Sequence, residues 1–288
     1  MPGPQDFLFG VLLPAILAGL VLLLVWGRRA AAPASRRGRA AGAFALGLGY
    51  LAAHLYLFRG LVVPSADRVL AARDWIPWVV VVALALATLR LARPVRHAVD
   101  MLGGALCVAL IAWLSVRNQL GRSVSWLDFA GALLVLLGAW ASAEALARRV
   151  PGAGVPLALW VVATATSVCA LLASGASTAQ IAGALAATLG AAVVLAWWNP
   201  RLELAGGGVT VALVLIAACL LNATFFATLP RTSAVLLALG LVTPWLASLP
   251  WFDALGAGSK AVVRAVCAAL PCAAAVALAK LAEPEPYF

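Results

Sequence analysis

Charge is scarce in this 288-residue chain: 10 acidic side chains, 20 basic ones and two histidines, with 10% charged in all. Soluble domains carry about 25%. The 65% of hydrophobic residues is more than water can cover, so a bilayer must solvate most of the chain. Period-two alternation is missing as well. The runs "WVVVVALALATL" (78–89) and "GALLVLLGAW" (131–140) are continuously apolar, which excludes a transmembrane β-barrel.

The absences continue at the level of chemistry. There is no H-E-x-x-H, no pair of carboxylates within one apolar run to hold Mg²⁺, and no nucleophile elbow. "GAGSK" (256–260) has neither the length nor the Lys-then-Ser/Thr order of a phosphate loop. Cysteine is limited to Cys107, Cys169, Cys219, Cys267 and Cys272, an odd number at no metal-ligand spacing. Each reads as a small buried hydrophobe, so neither a disulfide framework nor a metal site is expected, and no cofactor.

What is present is a succession of apolar runs, each near the roughly 20 residues that a hydrocarbon core requires. Ten spans are predicted, at about 7–26, 41–58, 75–92, 99–116, 127–147, 154–173, 179–198, 209–229, 233–249 and 261–281. The expected fold is therefore all-α: a polytopic transmembrane helical bundle forming one integral-membrane unit over 1–288, with no soluble domain. Pro200, Pro230 and Pro250 stop helices, and Pro14, Pro244 and Pro271 are placed to break them.

Charge asymmetry predicts orientation. If the N-terminus is outside, the cytoplasmic loops hold 13 Arg and Lys residues and the outer loops 7. The head "MPGPQD" has no basic residue, whereas "GRRAAAPASRRGR" (27–39) follows span one, so both termini are expected outside and no cleaved signal peptide is predicted. The net charge of +10 is spread between apolar runs as topology signal, not as a nucleic-acid surface. Ala/Leu/Arg-heavy usage suggests a GC-rich bacterial genome and hence a bacterial cytoplasmic (inner) membrane. "PSADRVLAARDW" (64–75) reads as a short interfacial helix capped by Ser65, and residues 27–40 as a basic loop. Trp26, Trp75, Trp78, Trp126, Trp197, Trp198, Trp245 and Trp251 sit where headgroup anchors belong. In span seven, Ala179, Gly183, Ala187 and Ala191 form a small-residue ridge suited to close helix packing.

Ionisable groups within spans are costly and are the first candidates for function. In "GLGYLAAHLYLFRG" (47–60), Gly47, Tyr50, His54 and Phe58 share one helix face. His54 is expected to turn into the bundle beside Tyr50, either as a helix-to-helix polar contact or as a proton-titrating or substrate-contacting group. Glu144 precedes Arg148 by one turn, which makes it either a local ion pair or a proton carrier facing the bundle. Asn222 is the deepest amide and completes the intramembrane set Tyr50, His54, Glu144 and Asn222. A second cluster, Arg93, Arg96, His97 and Asp100 in "RPVRHAVD", is a candidate anion site at the cytoplasmic edge or a positively flanked helix start.

Two function classes follow. One is a non-catalytic membrane scaffold or subunit of a larger membrane assembly, with the lipid bilayer and other membrane subunits as partners. The other is a small-solute or lipid transporter, for which ten spans allow a five-plus-five inverted repeat. A lipid-processing enzyme using His97 and Asp100 is a weaker third.

Overall fold

The computed structural model describes residues 8–26, 36–63, 71–92 and 97–282. A π-helical turn, Leu8–Leu12, leads into α1, Leu13–Trp26. Pro14 sits just after this wider turn, which relieves the clash between its ring and the carbonyl four residues back. The following helices are α2 (Arg36–Phe58), α3 (Ala72–Ala92), α4 (His97–Val116), α5 (Trp126–Arg149), α6 (Gly154–Leu172), α7 (Ala176–Trp198), α8 (Gly208–Phe226), α9 (Arg231–Leu239) and α10 (Ala257–Leu281). Two 3₁₀ turns, Thr243–Ser248 and Pro250–Phe252, follow α9.

Among the described residues ten segments are long and apolar enough to cross a membrane, the ninth being α9 continued by its first 3₁₀ turn. There is no strand among the described residues. The chain is thus an all-helical, multi-pass membrane protein. Helices dominate for a physical reason: in hydrocarbon every backbone N–H and C=O must be satisfied within the segment.

Helix α8 lies at the centre. Fifteen of its 19 residues are buried, and it packs against α2, α3, α4, α5, α6 and α7. Helix α1 lies outside that ring against α2 and α7, while α10 lies against α6 and α9. The five-plus-five arithmetic pairs the third span with the eighth. Yet α3 packs mainly on α2, α4 and α8, whereas α8 touches nearly every neighbour, so packing does not repeat between the halves.

Polar contacts sort the helix ends onto two faces. On one, here called the Arg148 face, Asn199 donates to the Trp26 carbonyl at 3.3 Å and Gly152 N–H to the Leu202 carbonyl at 2.8 Å. On the other, the Arg73 face, Arg231 makes a two-pronged pair with Asp128 at 2.6 and 3.0 Å. Trp78 donates there to the Val62 carbonyl at 2.9 Å.

Several expectations need correction. The ninth span is not one helix over 233–249: α9 ends at Leu239, and Pro244, which lacks a donor, sits in a 3₁₀ turn. Pro271 does not break α10, which runs on to Leu281. Residues 72–75 are the first turn of α3, not part of an interfacial helix; 64–70 lie outside the described residues. The basic loop is shorter than expected, because α2 already begins at Arg36. Among the anchor tryptophans, Trp126, Trp197, Trp198 and Trp251 are exposed. Trp26 is buried, the Arg117 guanidinium caps Trp75 at 4.9 Å, and Trp245 donates inward to Ser142 Oγ at 2.9 Å. These rings seal helix ends against other helices.

Candidate functional site

The most connected polar group is assembled from three parts of the chain on the Arg148 face. Glu144, 1% exposed, lies on the last turns of α5 and accepts from Arg148 Nε at 2.8 Å. Arg148 also reaches across to α4, where its Nη2 donates to Asp100 Oδ2 at 2.8 Å. The loop before α8 supplies the fourth member: the Gly206 N–H donates to Glu144 Oε1 at 2.7 Å. Gly206 has φ +86°, a left-handed conformation that glycine adopts without a Cβ clash, and this turn aims its N–H at the carboxylate.

One guanidinium therefore serves two carboxylates, and one carboxylate also takes a backbone donor. A charged cluster at this depth persists because its partners replace water. Glu144 Oε2 has no hydrogen-bond partner among the described residues.

This arrangement joins two sets that the sequence kept apart. Glu144 belonged to the intramembrane group and Asp100 to the cytoplasmic-edge group. In the structure Asp100 is engaged by Arg148 from α5. The side chain of His97 and all of Arg93 and Arg96 lie outside the described residues.

The other intramembrane residues lie toward the opposite face. Tyr50 Oη and His54 Nδ1 share a hydrogen bond of 3.0 Å, and both side chains are buried. The His54 ring then meets Phe58 at 4.7 Å, and the Arg73 guanidinium covers Phe58 at 5.6 Å. The imidazole faces helices, and its neighbours form a column that ends at the Arg73 face. Asn222 does not meet His54. Its Nδ2 donates back to the Ala218 carbonyl at 2.8 Å, and the rest of the amide faces a cavity of about 840 Å³ open on the Arg73 face. Arg73, Ser115, Asn118, Gln119 and Thr178 also line that cavity.

Other polar groups act as links between helices. Trp140 donates to Thr210 Oγ1 at 3.3 Å, and Ser167 donates to the Ala179 carbonyl at 2.8 Å. The latter bond lies on the small-residue ridge, where Gly183 sits against Ser167 and Ala191 faces Gly19. No group of three or more His, Cys, Asp or Glu side chains able to hold a metal occurs among the described residues.

Sequence reasoning missed Arg264, counted there only as a topology charge. It lies two turns into α10, is 6% exposed, and borders a cavity on the Arg148 face. Its depth within an apolar run was the signal that could have singled it out. No protein-family model matches the chain, and no curated protein matches it in sequence.

Proposed function

We propose that the chain is a non-catalytic membrane scaffold or a subunit of a larger membrane assembly. The observation that carries this reading is the four-part link of Asp100, Arg148, Glu144 and Gly206. The ionisable groups best suited to chemistry or proton transfer are spent on tying α4, α5 and the α8 start together. A filled centre around α8 supports the same reading, since a rigid core suits a part that others dock on. No cofactor, metal or nucleic acid enters it. The charge pattern favours an orientation with both termini outside and the Arg148 face on the cytoplasmic side of a bacterial inner membrane.

The cavity of about 840 Å³ favours a second reading, a small-solute or lipid transporter. Asn222, Asn118, Gln119 and Arg73 offer a solute hydrogen-bond donors, acceptors and one positive charge. Native mass spectrometry of the full chain, extracted gently from its own membrane, separates the two. A stoichiometric protein partner upholds the scaffold. A lone chain that retains a discrete small molecule, and loses it on Asn222→Ala, replaces that reading with transport.

A further inference from the structure

On the Arg148 face a cavity of about 380 Å³ lies between the start of α6 and the start of α10. Its lining includes Arg149, Gly154, Gly258, Lys260 and Arg264, so three basic side chains border it, and among the described residues no acidic one does. Two of the three are rim groups with other commitments. The Arg149 guanidinium sits over the Trp245 ring at 5.0 Å, and Lys260 Nζ reaches the exposed Asp253 carboxylate at 3.3 Å.

Arg264 is the interior one. It is 6% exposed, and its Nε has no hydrogen-bond partner among the described residues. A guanidinium this enclosed, with no carboxylate paired to it among the described residues, is expensive, so its position calls for an anion.

The backbone around it is arranged for the same charge. Both helix starts at the cavity are uncapped: neither Ala153 before α6 nor Gly256 before α10 gives a side-chain hydrogen bond. Their first N–H groups lack intrahelical acceptors, and each helix presents its positive end. Gly154 lets the arginine lie against the α6 start. A Cβ there would stand 3.2 Å from Arg264 Cδ and 3.3 Å from its Nη1, tighter than ordinary contact. Pro156, in the same first turn, has no N–H to offer, and Gly154, which lines the cavity, opens the helix with an N–H that has no intrahelical acceptor.

From these features we infer that the α6–α10 cavity is a binding site for a phosphate-type oxyanion. Arg264 is its interior counter-charge, the helix starts are its backbone donors, and Lys260 closes its rim. Guanidinium and helix N-termini together suit the tetrahedral oxygens of a phosphate, which a lipid headgroup or a free anion can supply. The site is separate from the Asp100–Arg148–Glu144 link and stands whether the chain is a scaffold or a transporter.

The test uses the full chain, delipidated and held in neutral maltoside detergent. Unfolding temperature is followed against sodium phosphate at constant ionic strength, and against phosphatidylglycerol with phosphatidylcholine as control. Saturable stabilisation by phosphate, weakened roughly tenfold in Arg264→Gln, supports the site and shows that the free oxyanion suffices. Stabilisation by phosphatidylglycerol alone, again lost in Arg264→Gln, supports it with a lipid headgroup as ligand. If neither probe exceeds its control, or if Arg264→Gln binds as the wild type does, the assignment is overturned. Should Arg264→Gln fail to fold, Lys260→Gln carries the comparison. About threefold weaker binding is then expected, and unchanged binding overturns the assignment.

Discussion

Arg148 Nη2 and Asp100 Oδ2 lie 2.8 Å apart although 48 positions separate them in the chain. The same Arg148 nitrogen is 2.8 Å from Glu144 Oε1, so one cation bridges two acidic groups. Arg148→Ala leaves both carboxylates without it and is expected to destabilise the bundle by about 3–5 kcal/mol, seen as a lower unfolding temperature in detergent. Glu144→Gln retains an acceptor for Gly206 and leaves the Asp100 pair intact, so it should lose about 1–3 kcal/mol. A reversed order would mean that the link does not work as described.

Tyr50 and His54 test the other half of the intramembrane set. His54→Ala removes a buried hydrogen bond within α2, worth about 1 kcal/mol, together with the ring contact to Phe58. Tyr50→Phe removes the hydrogen bond alone and should cost less. An unchanged unfolding temperature for His54→Ala would show that this side chain holds nothing together.

Close backbone approach gives a steric prediction. A Cβ on Gly49 would meet Thr188 Cγ2 at 2.5 Å and the Pro14 carbonyl oxygen at 2.9 Å. The carbonyl cannot rotate away, so α1 and α2 must part, at a cost of about 1–3 kcal/mol for Gly49→Ala. Gly131→Ala, on the open side of α5 with nothing within 4 Å, should be neutral or slightly stabilising. Thermal unfolding of the two variants side by side checks the contrast.

Orientation can be measured by labelling introduced cysteines. Four of the five native cysteines are buried and Cys267 is half-buried, which keeps the background low. A cysteine at Ser123, exposed on the Arg73 face, should react with an impermeant maleimide in intact cells. One at Asp253, exposed on the Arg148 face, should react only after permeabilisation. The opposite pattern would invert the proposed topology.

How far the fold could be read from sequence depended on the range of the interaction. Span positions were legible because each helix meets the bilayer's demand within its own segment. Residues 154–173 were expected and Gly154–Leu172 is found; 127–147 were expected and α5 is Trp126–Arg149. The Tyr50–His54 contact was legible for the same reason, since four positions make one helical turn. The failures came from contacts between distant segments. The ninth span gives way near Gly240, where a Cβ would stand 2.9 Å from Cys272 Sγ on α10, a closeness that hydropathy does not register. The Asp100–Arg148 pair was not legible because the two lie 48 positions apart and nothing local points from one to the other. Arg264 took on meaning only once Gly154, from the opposite end of the second half, was found against it.

The enclosure of α8 has a consequence for how the protein is made. The six helices that surround it, α2 to α7, all precede it in the chain and leave the ribosome first. They must hold open, or be able to reopen, a slot that stays vacant until residues 208–226 have been synthesised. Helix α8 must then enter sideways from the lipid, and its largely apolar surface suits that passage as well as its final place.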